Sequence, residues 1–492
     1  MIPIGSVKPL AAVLVSLLVI PVLLSSRKPN VRESWTFAAA LIKFGLVASM
    51  VPAVMAGRSF EFCIVPLFAG IEFKLQVDAF GLLFALVASF LWIVTSAYSI
   101  GYMRGLDEHS QTRYYCFFAA ALSATIGVAF SANLLTLYIF YEILSLATYP
   151  LVTHHQDPEA RSSGRKYLFY IMGGSIGLVL PAMVIVYAVT GTLDFAPGGI
   201  LAGGFTSIQA LPLLLMFVFG FSKAGIMPVH AWLPAAMVAP TPVSALLHAV
   251  AVVKVGVFCV FRVITDIFGP VTLQAYGFRT LLCTIAAVTI LASSLIALSQ
   301  DNLKRRLAFS TIGQLSYIVL GAALLTQSGM TGGMLHIAMH AFGKITLFFC
   351  AGAIAVAVGV KNISEMTGIG KQMPVTMGAF FIGALSVIGL PPGGGFISKW
   401  YLALGTLEAE QFLMLAVLLF SSLLNAAYFL PVVYRAFFCT RSETMFESEI
   451  KEAPGWCLVP PVVTAGASIL LFFYPQPFLS LSKIAVSRIL GG

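Results

Sequence analysis

The chain has 492 residues, 59% of them hydrophobic and only 10% charged, with a mean hydropathy of +0.97. About a quarter of a soluble domain is charged, so this composition excludes a soluble enzyme or a nucleic-acid-binding domain and points to an integral membrane protein. The net charge of +9 is carried by short loops between apolar runs, which makes it a signal of topology and not of nucleic acid.

A membrane-spanning helix needs roughly 20 mostly apolar residues, and by that measure the chain is an all-α polytopic protein with about fourteen spans. They begin near Pro9, Trp35, Val77, Tyr114, Ala132, Lys166, Ile208, Val243, Phe278, Leu307, Thr331, Met373, Gln411 and Trp456. Lys8 leads into the first run without a cleavage pattern, so that run is read as a retained helix and not as a signal peptide. Between the second and third spans, FEFCIVPLFAGIEFKLQV joins β-prone stretches through a Pro and a Gly, which predicts a surface hairpin. The chain ends shortly after the last span, with no long C-terminal arm expected.

Loop lysines and arginines set the orientation. Loops after odd-numbered helices carry Arg27, Lys28 and Arg32; Arg104 and Arg113; Arg161, Arg165 and Lys166; Lys304, Arg305 and Arg306; Lys361 and Lys371; and Arg441 and Lys451. The loop after helix seven has none, and even-numbered loops offer little beyond Arg58, Lys74 and Arg279. Odd-numbered loops are therefore expected in the cytoplasm and both termini outside. The seven cysteines form no CxxC and no iron–sulfur or zinc spacing, and most fall in apolar runs, where Cys behaves as a small hydrophobe. No cofactor or metal site is expected in this chain.

Two spans are interrupted. FGFSKAGIMPVHAWLPAAMVAPTPVS holds Gly225 and Pro228, and IGLPPGGGFISKW holds Pro391 and Pro392. Proline removes a helix donor and clashes with the preceding turn. Broken helix at membrane depth persists only where protein or a water-filled cavity satisfies it, and paired breaks point to a transport site. GGGFISK lacks the ending of a phosphate-binding loop.

An ionisable residue at mid-membrane costs about 2.5–3.5 kcal/mol on insertion scales, so each one needs a reason. Glu142 is the one acid placed inside a span. Lys223 sits beside the first break, Lys254 lies deep in helix eight, Lys344 is central in helix eleven, and Lys399 follows the second break. Lys43, in the second span, is read as snorkelling to the interface. His248, His336 and His340 add groups that both donate and accept protons near neutral pH. His336, His340 and Lys344 recur at i, i+4 and i+8, a stripe on one helix face that spans about 12 Å of depth. Two histidines without a carboxylate on that face argue against zinc. His248 and Lys254 are six residues apart, roughly 120° round a regular helix, so they are expected to meet different neighbours. Ser310, Thr311, Gln314 and Tyr317 of helix ten are weaker candidates for bonding water or neighbouring helices.

FYE in helix five, SKAGIMPVHAWLPAAMVAPTPVSALLHA, DNLKRRLAFSTIGQLSY, LHIAMHAFGKITLF and GLPPGGGFISKW resemble the antiporter-like subunits of the complex I superfamily. That superfamily takes in NADH–quinone oxidoreductases, Mrp-type cation/proton antiporters and membrane-bound hydrogenases. The resemblance implies fourteen helices, with two inverted five-helix repeats over helices four to eight and nine to thirteen and with discontinuous helices seven and twelve. The corresponding units are residues 1–112, 113–270, 271–440 and 441–492. It implies that Glu142 pairs with Lys223. It also implies that Lys254 and His248 match the helix-eight centre, His336, His340 and Lys344 the helix-eleven centre, and Lys399 the lysine that closes the path in helix twelve. Length and VVKVGVF favour an Mrp D-type or hydrogenase-associated member, whereas SALLHAVAVVKVG keeps a histidine typical of complex I-type members.

The expected function is proton translocation, with cation/proton antiport as a variant, by one subunit of a multisubunit complex in a bacterial or archaeal cytoplasmic membrane. Expected partners are hydrophobic membrane subunits, a redox module with iron–sulfur centres, protons and Na+, with no nucleic acid. The competing readings are a free-standing solute transporter using the two breaks as a substrate site, and a subunit that couples protons to inorganic-carbon uptake.

Overall fold

The computed structural model describes residues 2–26, 28–68, 70–201, 203–439 and 450–491. Arg27, Arg441 and the unit boundary at 440/441 lie outside the described residues. The expected hairpin is present: β2 (Arg58–Phe68) pairs antiparallel with β3 (Ile71–Val77), Phe60 lying opposite Val77. A further strand, β1 (Ile2–Gly5), pairs parallel to β2 with Ile2 opposite Arg58. Four residues carry no readable period, and their partner is distant in sequence, so this strand is not legible from the sequence.

The remaining described chain is predominantly helical. Of the principal helices the first six are α1 (Lys8–Leu18), α2 (Pro29–Ala48), α3 (Ala79–Gly105), α4 (Gln111–Ala129), α5 (Leu134–Val152) and α6 (Pro158–Gly174); short helices Ile20–Ser25 and Val51–Met55 extend α1 and α2, and a π turn carries α6 on into Leu180–Thr190. Next come α7 (Ser207–Gly220), α8 (Val252–Arg262), α9 (Phe278–Leu298), α10 (Leu303–Ala323) and α11 (Gln327–Val358). The last five are α12 (Pro374–Ile388), α13 (Gly395–Glu408), α14 (Phe412–Phe438), α15 (Gly455–Phe473) and α16 (Gln476–Leu490). Among the described residues nine helices are long and apolar enough to cross a membrane, and α7 and α12 are shorter apolar helices.

Side-chain caps fix several starts. Asp78, Asn133, Asp157, Asn302 and Thr326 each accept from a backbone N–H three residues on, satisfying groups that a helix start leaves unpaired. The Asp157 cap, with Pro158 behind it, explains why α6 begins well before the expected Lys166. Its first turns, PEARSSGRK, are helical but too polar for a hydropathy reading to include. Pro29 likewise starts α2 ahead of Trp35. α16 has no counterpart among the expected spans, because its apolar positions are interleaved with Ser, Lys and Arg.

α11 is a single unbroken helix of 32 residues, about 48 Å long. It packs on α10, α12, α13 and α15, and its residues from Gly329 to Ile354 are all buried. It therefore forms the axis on which the other helices present their polar groups.

Candidate functional site

The first break follows α7. Phe221 leaves the helical region, Ser222–Ala224 make one tight turn, and Gly225 adopts φ +70°, a conformation available to glycine at no steric cost. The Trp232 indole donates to the freed Ser222 carbonyl at 2.9 Å. α8 closes on this turn at Gly256, where a Cβ would run into the backbone of Lys223 and Ala224. Gly256 was missed as a site-forming residue; a lone glycine in a helix gives no sequence signal of close approach.

The break places Lys223 in the core. Its Nζ donates to the Tyr141 carbonyl at 2.7 Å and to Ser145 Oγ at 2.6 Å, and stands 3.3 Å from the centre of the Tyr141 ring. Among the described residues, Glu142, the next residue on α5, makes no ion pair, and both its buried carboxylate oxygens have no hydrogen-bond partner. Lys223 and Glu142 thus meet the same turn of α5, yet the lysine is held by neutral oxygens and not by the carboxylate. Tyr141 and Ser145 were not singled out from sequence, although they flank Glu142 at helical spacing.

Lys254, on α8, is fully buried and hydrogen-bonds His340 Nδ1 directly. The segment before it runs Thr241–Leu246 and then a π turn, Leu247–Ala251. That wider turn changes the phase expected between His248 and Lys254. The side chain of His248 lies outside the described residues. His340 stacks on His336, with ring centroids 5.6 Å apart. His336 Nδ1 pairs with Ser398 Oγ at 2.8 Å and its Nε2 with Gln314 Oε1 at 3.1 Å, while the Tyr317 ring stands edge-on at 5.6 Å.

The second break runs from Gly389, at φ +88°, to the start of α13 at Gly395. It contains Pro391 and Pro392, as the first contains Pro228. A Cβ on Gly395 would strike the Ser386 carbonyl, so the glycine run lets α13 fold back on α12. Lys399 then points inward. Its Nζ donates to the Ile388 carbonyl at 2.8 Å and to Ser422 Oγ at 3.0 Å, and sits 4.8 Å from the Tyr317 ring centre. Tyr317 therefore touches both His336 and Lys399.

Lys344 takes a separate direction. Its Nζ donates to Ser310 Oγ at 2.7 Å; Ser310 accepts from the Tyr428 hydroxyl at 2.9 Å, and Tyr428 contacts Asn425. The expected linear stripe His336–His340–Lys344 is therefore a fork. Lys254 joins at the middle rung, His336 leads to Lys399, and Lys344 leads to α14. The reason is that i, i+4, i+8 positions drift round a helix of 3.6 residues per turn, so the ends of the stripe meet different neighbours. Ser310, Gln314 and Tyr317 prove central. Thr311 bonds its own helix at the Leu307 carbonyl, 2.8 Å away.

Lys43 corrects the snorkelling expectation. It is fully buried, donates to Ser16 Oγ at 2.7 Å and lies 5.4 Å from the Trp92 ring centre. A second cluster was also missed, including an acid inside helical chain besides Glu142. Arg262 Nη2 donates to Asp78 Oδ1 at 2.7 Å, Arg262 Nη1 stands 3.4 Å from Asp266 Oδ2, and Arg488 Nη1 stands 3.5 Å from Asp78 Oδ2.

Residues 131–425 match the NADH:quinone oxidoreductase/Mrp antiporter transmembrane family, and the chain belongs to that family. NADH-quinone oxidoreductase subunit N of Desulforudis audaxviator is 38% identical over 378 residues, covering 75% of this chain and 73% of the relative. Hydrogenase-4 component B of Escherichia coli is 31% identical over 428 residues, covering 82% of this chain but only 63% of that longer relative. A chain in the solved Mrp complex from Dietzia sp. DQ12-45-1b superposes with a TM-score of 0.87 at 22% identity, covering 98% of each chain, and so shares the fold.

Proposed function

We propose that this chain is a proton-translocating subunit of a multisubunit membrane complex, of the respiratory, hydrogenase or cation/proton-antiporting kind. It is proposed to sit in a bacterial or archaeal cytoplasmic membrane with fourteen spans. Helices four to eight (113–270) and nine to thirteen (271–440) are two inverted repeats, flanked by units 1–112 and 441–492. Partners are other hydrophobic membrane subunits. The driving energy comes from a redox module with iron–sulfur centres or from a Na+ gradient, and this chain needs no cofactor of its own.

The observation that carries this reading is the direct hydrogen bond between Lys254 and His340. It joins two fully buried protonatable groups, one from each of the two proposed repeats. Two cations in contact repel, by about 4 kcal/mol at 4 Å with an effective dielectric of 20, so the pair holds one proton and passes it along the bond. From His340 the stack leads to His336, and through Tyr317 and Ser398 to Lys399. Lys223 and Glu142 supply the other end, where the negative Glu142 draws the ammonium off the Tyr141 carbonyl or releases it. Lys344, on Ser310 and Tyr428, is a side site where a proton waits. The test is Lys223→Ala in the complex reconstituted into vesicles. Proton uptake is expected to fall at least about tenfold, one such factor being about 1.4 kcal/mol, with assembly intact. Full-rate uptake by the assembled variant would refute the proposal.

A further inference from the structure

Loop 106–110 joins α3 to α4, and loop 153–157 joins α5 to α6. Both lie on the face that the arginine and lysine pattern assigns to the cytoplasm. They bring together Glu108, His109, His154 and His155, none of which belongs to the path above.

His154 is fully buried, and among the described residues neither ring nitrogen has a hydrogen-bond partner. Leaving a buried polar group unpaired costs about 1–3 kcal/mol, so an imidazole in this state calls for a ligand. Glu108 Oε2 stands 3.6 Å from His154 Nε2 and 3.6 Å from His155 Nδ1. Both separations exceed hydrogen-bond length. They are close to the edge of a tetrahedron of donors around zinc, about 3.3–3.4 Å for metal–ligand bonds of about 2.0–2.1 Å. One donor atom each from Glu108, His109 and His154 lies within 4.8 Å of the others. Arg113 fixes the turn by donating to the His154 carbonyl at 2.8 Å.

We propose that Glu108, His109 and His154 bind one divalent transition-metal ion of the zinc class, with the fourth position left open. Imidazole donors select this class over Mg2+ and Ca2+, which take oxygen donors. The bound ion ties the ends of α3, α4, α5 and α6 together, and so fixes the end of the helix that carries Tyr141, Glu142 and Ser145. The donors come from two loops far apart in sequence, which is why no metal-ligand spacing announced them.

The experiment uses the assembled complex containing the full chain, stripped with a chelator and titrated with Zn2+ and, separately, Co2+. About one ion per chain is expected to bind, with the intense visible absorption of four-coordinate cobalt. Glu108→Gln and His154→Ala are each expected to weaken binding at least about tenfold. His109→Ala, at an exposed position, is expected to do the same. An assembled His109→Ala or Glu108→Gln complex that binds both ions as tightly as the parent, or a parent that binds neither, would overturn the site. Because binding is read directly, these outcomes are independent of whether Lys254 and His340 move protons.

Discussion

Two sets of buried charge lie in this helix core and meet burial in opposite ways. Arg262 is matched: Asp78 and Asp266 accept from it, Arg488 approaches Asp78, and the guanidinium carbon lies within 5.2 Å of the Phe80 and Phe258 ring centres. The lysines are not matched. Among the described residues no carboxylate forms an ion pair with Lys223, Lys254, Lys344 or Lys399; carbonyls, hydroxyls and one imidazole hold them instead. A matched arginine keeps its charge and fastens helices. Neutral oxygens accept from an amine as from an ammonium, so an unmatched lysine keeps its partners with or without its extra proton, as the proposed carrier role requires.

Four substitutions probe this contrast, from the largest expected effect to the smallest. Lys254→Ala is expected to abolish proton uptake in vesicles while the complex still assembles, as measured by uptake rate and size-exclusion profile. Arg262→Ala is expected to act on stability instead. Removing one partner of a buried pair costs about 3–5 kcal/mol, so thermal unfolding of the complex should shift strongly downward, and the material that remains assembled should keep its uptake per molecule. Gly256→Ala puts a Cβ into the Lys223–Ala224 backbone. Overpacking costs about 1–3 kcal/mol, and here a lowered melting temperature and lowered uptake should appear together, because the first break must move. Tyr428→Phe removes one hydroxyl between Ser310 and Asn425, worth about 1 kcal/mol. If Lys344 is a side site, uptake should fall less than it does for Lys254→Ala; an equal loss would put Lys344 on the main route.

What could be read before packing follows from physics. The hairpin, both breaks and Lys223, Lys254, Lys344 and Lys399 were readable because apolar runs, prolines and lone charges are local signals, whereas the burial of Lys43 was not. The starts of α6 and α10 were cut short, since hydropathy does not see polar turns capped by Asp157 and Asn302. The partners of the charges were mostly hidden. Ser145, Ser398, Ser422 and Tyr428 look ordinary until packing turns them toward the lysines and histidines of the core. Asp78 and Arg262 meet only because α3 and α8 come together in space, and Glu108 and His154 only because two loops do. The fork at Lys344 was misread as a straight stripe because the partners that the drift of a 3.6-residue helix brings within reach over eight positions are set by packing.

The central claim is that Lys254 and His340 hold and pass one proton as a unit. It is tested most directly by a double-mutant cycle on proton uptake with Lys254→Ala, His340→Ala and the pair together, all in assembled complexes. Residues that act as a unit lose little more when both are removed than when either is. The account predicts that each single variant is as inactive as the double. Losses that multiply, or a His340→Ala complex with undiminished uptake, would contradict it.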